Sequence, residues 1–364
     1  MRALVLRGFG DAAVEEVPDP APGPGEAVVD VACVQPSVTE CMLLAGEPIA
    51  MHTVLAARLA EGPVRFGGHE FAGVVRALGS GTPGGIRVGD RVTAVETAAC
   101  GRCAACRRDR PDACPSPAVL GFTGPGAFAE RVVVPAKTLV RVPDGITASQ
   151  AAAIQPLAGA IHGHAAAAVR PGDSVLVIGA GVMGVLHTQV ARHGGAGLVM
   201  VSGRSPAKRE LAQRAGADLV IDAADDVEAA VLDATEGIGA DVVFEAAGEG
   251  TFGLAARCVR RGGVIVMVSV LPDHAPAPLA RLRERSVALL HPRSGAGGYS
   301  PGSGAFEHAL RLVARGDVDV SCLISHRLAG VEALPEALAI TRDKRRYGAL
   351  GPAQVDLFDW DRAA

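Results

Sequence analysis

Aromatic side chains are scarce in this chain: nine Phe, two Tyr and one Trp make up 3% of its 364 residues. So thin a supply argues against a surface that stacks nucleobases. Net charge is also small, −4 from 35 basic and 39 acidic residues, so no field for nucleic acid or an anionic membrane surface is expected. Hydrophobic residues reach 49%, yet no unbroken apolar run approaches the roughly 20 residues that span a bilayer. The start, MRALVLRGFG, lacks the apolar core of a secretory leader and reads as a strand. A reducing cytoplasm is the expected compartment. Internal repeats and low-complexity linkers are missing too. What remains is a chain long enough for two domains with ample core.

Cysteine is concentrated where it occurs. Cys100, Cys103, Cys106 and Cys114 lie in CGRCAACRRDRPDAC, while Cys33, Cys41, Cys258 and Cys322 are scattered and read as buried free thiols. Two Cys-x-x-Cys steps fix three thiolates on a tight turn, and a longer step swings in the fourth, as a structural zinc requires. Two disulfides are the rival, but neighbours three apart bridge poorly. An iron–sulfur cluster is the other rival. Pro115 suits it, whereas the seven residues between Cys106 and Cys114 exceed the ferredoxin gap.

A second signal lies in SVLVIGAGVMGVLHTQVARHGGA. Ser174 to Ile178 reads as a buried strand, and Gly179, Gly181 and Gly184 form G-x-G-x-x-G. The first glycine permits the tight turn, the second lets backbone approach a pyrophosphate, and the third lets helix pack on strand. The helix opening at Val182 and Met183 points its N-terminus at the phosphates. Strands at Leu198 to Val201, LVIDA, ADVVFEAAG and GGVIVMVSV continue the alternation, predicting an α/β doubly wound parallel sheet. At the end of the second strand an acid would hold the ribose hydroxyls of NAD. Here Gly203 stands in its place, with Ser202, Arg204, Ser205, Lys208 and Arg209 around it, so NADP(H) is the expected cofactor.

Further runs carry a resemblance: GHE at Gly68 to Glu70, VGDRV at Val88 to Val92, GAFAERVVVPA at Gly126 to Ala136, QPLAGAIHG at Gln155 to Gly163 and LISHR at Leu323 to Arg327. With the cysteine lobe and the glycine fingerprint, the chain resembles the zinc-containing medium-chain dehydrogenase/reductase family over nearly its whole length. The polyol and threonine dehydrogenase branch is the most similar. The resemblance implies a mainly β, GroES-like, partly closed barrel as catalytic domain, formed by residues 1–152 and 293–364. It places the structural zinc lobe near 97–116 and a Rossmann domain at 153–292, with the active site in the cleft between domains. It also implies a small-molecule substrate and a homodimer or homotetramer.

Catalytic zinc in such proteins is held by a Cys, the His of GHE and a third Cys, Asp or Glu, often aided by a Glu. His69 and Glu70 match. The first Cys falls on Ser37, the third ligand on Gln155, the proton-relaying hydroxyl on Thr39 and the bracing acid on Glu40. Two anionic ligands have thus become neutral, and Ser and Gln oxygens are poor zinc donors. Cys33 and Cys41, four residues to either side of Ser37, cannot simply replace it on an extended path. The catalytic zinc is therefore expected to be missing or atypical, with any remaining metal held weakly by His69 plus Glu70 or Glu40. Between Gly46 and Gly68 the chain is longer than the family pattern, and Thr53 to Leu59 reads as a helix that either caps the substrate cleft, bringing His52 to the site, or is an ordinary surface helix.

Three functions stay open. The first is an NADP(H)-dependent oxidoreductase moving a hydride between nicotinamide and the hydroxyl or carbonyl carbon of a small polar substrate. The second is a zinc-independent NADPH-dependent reductase of a conjugated C=C bond. The third is a cofactor-binding protein without turnover.

Overall fold

The computed structural model describes residues 1–82, 84–248, 250–269, 276–292 and 304–360. The chain divides into two compact units, Met1–Ala158 with Gly295–Ala364, and Gly159–Ser294.

The first stretch carries β1 (Arg2–Gly8), β2 (Asp11–Glu16), β3 (Glu26–Gln35), β4 (Val64–Arg65), β5 (Glu70–Leu78), β6 (Arg91–Ala94), β7 (Thr97–Ala98), β8 (Ala118–Val119), β9 (Arg131–Pro135) and β10 (Leu139–Arg141). Short helices punctuate them: α1 (Val38–Leu44), α2 (His52–Glu61) and α3 (Ala148–Ala152), followed by the longer α4 (Ile154–Ala167). β3 is the spine. Its sequence EAVVDVACVQ is buried at eight of ten positions, which suits a strand covered on both faces. It pairs antiparallel with β5 and β9, and register shifts at Val28/Val29 and Val31/Cys33 mark bulges that bend it. Such bending curls an antiparallel sheet toward a barrel. Val29, Val31, Phe71, Val75, Phe128 and Val132 fill the inside. Burying each such side chain is worth about 1.5–3 kcal/mol, which holds the strands that carry the polar groups described below.

The second unit is a six-stranded sheet: β11 (Ser174–Ile178), β12 (Leu198–Gly203), β13 (Leu219–Asp222), β14 (Ala240–Glu245), β15 (Val259–Met267) and β16 (Ala288–Leu290). All pairings are parallel, in the order β13-β12-β11-β14-β15-β16. Helices α5 (Val182–His193) and α6 (Pro206–Arg214) provide crossovers. Strand order reverses between β11 and β14, the position where such sheets take a ligand at their carboxyl ends. Its core includes a ring stack of His164, His187 and Phe244, with centroids 4.2–5.2 Å apart. Burial lowers the basicity of both histidines. No helix of the described residues is long and apolar enough to cross a membrane.

Closing the barrel unit, the chain returns with β17 (His326–Ala329) and β18 (Ala353–Asp356), which pairs with β3.

Candidate active site

The run PSVTE begins α1, and its Ser-x-x-Glu spacing makes a capping box. Ser37 Oγ accepts from the Glu40 amide at 3.1 Å, and Glu40 Oε2 accepts from the Ser37 amide at 2.8 Å. The other Glu40 oxygen accepts from the Gly68 amide (2.6 Å), the His69 amide (3.3 Å) and His69 Nδ1 (2.8 Å). Gly68 itself packs against the Ala127–Phe128 backbone: its φ is +82°, and a Cβ there would lie 2.3 Å from the Phe128 amide nitrogen. Glu40 is fully buried. Burial alone would raise its pKa, but His69 and the backbone donors outweigh it and hold the carboxyl below its ordinary range.

His69 is buried between acids. Burial favours its neutral form; the charge and hydrogen bond of Glu40, aided by Glu70 and Glu96, overcome this and raise its pKa to about 9. Its Nε2 lies 3.7 Å from Glu70 Oε1, beyond hydrogen-bond length. Glu70 opens β5, and its Oε2 accepts from Gln35 Nε2 at 2.5 Å. Gln354 of β18 donates to Gln35 Oε1 at 2.8 Å and accepts from Ser149 Oγ at 2.5 Å, so the amides are oriented as a chain behind Glu70. Burial pushes Glu70 up to about 7, against the pull of His69 and Gln35.

Glu96 is the residue that sequence reasoning missed. It follows β6, accepts from Gln155 Nε2 at 3.0 Å, and leaves Oε2 buried without a hydrogen-bond partner among the described residues. Burial raises its pKa, opposed first by His69. The only sequence signal is an acid in an otherwise apolar strand exit, AVETA, just before the cysteines. Thr39 lies in the first turn of α1, half-buried, with no hydrogen-bond partner for its hydroxyl among the described residues. Cys33 points its thiol at Gln354 (3.6 Å) and Cys41 at the Leu338 carbonyl (3.5 Å), so neither stands in for Ser37. Burial pushes the Cys41 thiol up to about 12. The helix read at Thr53 to Leu59 runs from His52 to Glu61. His52 does not join the site: its ring stacks on Phe9 at 4.7 Å.

This donor set fits a catalytic zinc poorly. Ser37 Oγ is engaged as a helix cap, and Gln155 offers a neutral amide tied to Glu96. Glu40 is consumed by His69 and three backbone amides. The cysteine lobe fits a zinc ion well. The sulfurs of Cys100, Cys103, Cys106 and Cys114 all lie within 4.8 Å of one another, the only such cluster of metal-ligating groups among the described residues. Separations of 3.4 Å (Cys103–Cys106) and 4.0 Å (Cys103–Cys114) bracket the ~3.8 Å edge of a tetrahedron with 2.3 Å bonds.

In the second unit the glycine turn leaves β11 and caps α5. A Cβ on Gly184 would lie 1.7 Å from the Gly179 carbonyl oxygen, so the close helix–strand contact needs glycine there. Gly181 has nothing within 4 Å on its Cβ side, which leaves room for a pyrophosphate at the free amides around Val182 and Met183. β12 ends at Gly203, with Ser202 buried. The neighbouring acid, Asp222, is taken by Arg209 at 2.7 Å. Arg204 and Lys208 form no ion pair among the described residues, and burial together with Arg204 lowers the basicity of Lys208.

Comparison with known proteins agrees with both halves. Residues 23–144 match the alcohol dehydrogenase GroES-like domain, and residues 182–315 the zinc-binding dehydrogenase domain. The chain is 31% identical to L-threonine 3-dehydrogenase of Pyrococcus horikoshii over 337 residues, covering 92% of this chain and 93% of that one. It is 34% identical to sorbitol dehydrogenase of Halalkalibacterium halodurans over 254 residues, covering 68% and 70%. Among solved structures, alcohol dehydrogenase TADH from Thermus sp. ATN1 superposes with TM-score 0.82 at 29% identity, covering 98% of this chain and 99% of that one. A chain of Sinorhizobium meliloti 1021 described as a zinc-binding dehydrogenase, bound to NADP, superposes with TM-score 0.84 at 29% identity, covering 98% and 99%. The chain therefore belongs to the zinc-containing medium-chain dehydrogenase/reductase family, and it is a dehydrogenase-type oxidoreductase with a nicotinamide cofactor and a small-molecule substrate.

Proposed function

We propose that this oxidoreductase uses NADP(H), keeps zinc only in its cysteine lobe, and exchanges hydride with a hydroxyl or carbonyl carbon of a small polar substrate by proton chemistry at His69. The observation that carries the proposal is the Glu40–His69 pair: a buried carboxylate 2.8 Å from Nδ1 that keeps the imidazole charged. When bound, the cofactor would supply hydride for a carbonyl carbon or, oxidised, accept it from a carbinol. In the reductive direction His69 gives the Nε2 proton to the substrate oxygen as charge develops there, and Glu40 holds the ring in place. The proton returns to His69 when an alcohol is oxidised. Thr39, whose hydroxyl has no hydrogen-bond partner among the described residues, would serve as the relay or second donor. Glu70 and Glu96, both with raised pKa, take the substrate's other hydroxyl donors, and Gln155 fixes Glu96. Gly179, Gly181, Val182, Met183 and Gly184 would hold the pyrophosphate, with Ser202, Gly203, Arg204 and Lys208 around the 2′-phosphate. Activity in the cytoplasm as a homodimer or homotetramer belongs to the same reading.

The test is initial-rate assay of NADPH oxidation with hydroxyketones and matching enones, alongside elemental zinc analysis. Turnover of saturated ketones with NADPH preferred over NADH, at about one zinc per chain, is expected. A second zinc at His69 would overturn the metal-free step. Loss of both anionic ligands also suits reduction of a conjugated C=C bond, whose enolate is stabilised by hydrogen bonds. Turnover of enones alone would select that reading, and cofactor binding without any turnover would select a non-catalytic protein.

A further inference from the structure

Between Gly46 and Gly68 the chain forms α2, and α2 is wired to His69. Arg58 reaches from its last turn and donates through Nη1 to the carbonyls of Phe122 (2.5 Å) and Gly124 (3.3 Å). Two carbonyls on one guanidinium nitrogen fix the turn that carries Phe122, a charge-assisted contact stronger than a neutral one. The Phe122 ring, 4% exposed, lies 5.3 Å from the His69 imidazole and meets Phe66 edge-on at 6.0 Å. Leu55 of α2 is fully buried in the same cluster as Phe66, Phe122 and Leu43. Leu43 belongs to α1, the helix that carries Glu40. Helix α2 thus braces both flanks of His69, the aromatic side through Phe122 and the acidic side through α1.

We propose that α2 is a clamp that presses Phe122 against His69 and keeps water from the imidazole, with Arg58 as its positioning residue. The idea rests on the proton-donor reading of His69, but its geometry is testable without turnover. An apolar ring beside a charged imidazole excludes competing water and sharpens the hydrogen bond it gives.

The probe is diethyl pyrocarbonate, which ethoxycarbonylates the neutral imidazole; modification of each histidine is followed by peptide mass spectrometry from pH 7 to 10, and rates are compared per neutral ring. In the unaltered protein His69 should react slowly. Arg58→Ala should raise its rate about tenfold, the effect of losing ~1.4 kcal/mol of closure, and Arg58→Lys should restore most of the protection. His52 on the same helix and the buried His164 and His187 should keep their rates. Should Arg58→Ala fold poorly, Phe122→Leu removes the ring while leaving the guanidinium and should raise the His69 rate selectively as well. Unchanged His69 reactivity in a folded variant overturns the clamp, as does a parallel rise at all four histidines, which would mean general loosening. Failure of the proton-donor reading shows elsewhere, as full turnover in a His69→Gln variant.

Discussion

The cysteine lobe and the His69 site sit in the same unit and are prepared for opposite tasks. In the lobe, four sulfurs converge, two of them also accepting backbone N–H groups at 3.4 Å, and a soft divalent cation would satisfy all four at once. At His69 every feature handles protons instead. One nitrogen is tied to a carboxylate, the facing acid is raised to about 7, and the positions where thiolate or carboxylate ligands would stand hold a helix cap and an amide. On the proposed reading, one metal centre is kept and the other converted, because each depends on its own local donors.

The sharpest break of that contrast is His69→Gln. Removing the proton donor should lower kcat by about 10²–10⁴, with zinc content unchanged, checked by steady-state kinetics and elemental analysis together. Cys103→Ser attacks the opposite side. Zinc should fall from about one per chain toward zero, and the lobe near 97–116 should become the first site of limited proteolysis, while the chemistry at His69 persists in the folded fraction. Restoring the family ligands tests whether the two sites differ by donors alone: Ser37→Cys with Gln155→Glu should raise zinc from about one to about two per chain. The cap lost at Ser37 should cost about 1 kcal/mol of stability.

Charge gives the smaller effects. Arg204→Ala should raise KM for NADPH about tenfold with little change for NADH, since one charge-assisted contact to the 2′-phosphate is worth about 1.4 kcal/mol. Glu40→Gln tests the pH dependence. In the unaltered protein the reductive rate should hold through neutrality and fall as pH rises through about 9, where His69 loses its proton. Its folded pKa lies above the ordinary value of 6.5, so the contribution of His69 protonation to stability is complete below that value and is lost as pH rises through about 9. With glutamine at position 40, burial dominates, and both transitions should move to lower pH by about 1–2 units, visible in kcat profiles and in thermal unfolding from pH 6 to 10.

Much of this was readable in the chain itself. The four cysteines announce a cluster because their spacing is local: a turn of fifteen residues brings them together whatever surrounds it. The glycine fingerprint likewise specifies its own turn, since Gly184 must meet the Gly179 carbonyl at a distance no side chain allows. The segment around Ser37 reads as extended in the sequence, whereas Ser37 caps helix α1, whose turn at Val38–Leu44 carries Glu40 and Cys41. Glu96 was not legible, for its partners Gln155 and His69 are far away in sequence and only the barrel brings them near. The amide chain from Ser149 through Gln354 and Gln35 to Glu70 depends on β18 returning from the far end of the chain beside β3. Nor does the sequence of α2 say that Arg58 will hold Phe122. Spacing along the chain determined which local shapes and donor sets exist. The tertiary structure decided which charges become neighbours: burial alone would favour neutral His69, and the Glu40 carboxylate 2.8 Å away, aided by Glu70 and Glu96, overcomes this and raises its pKa to about 9.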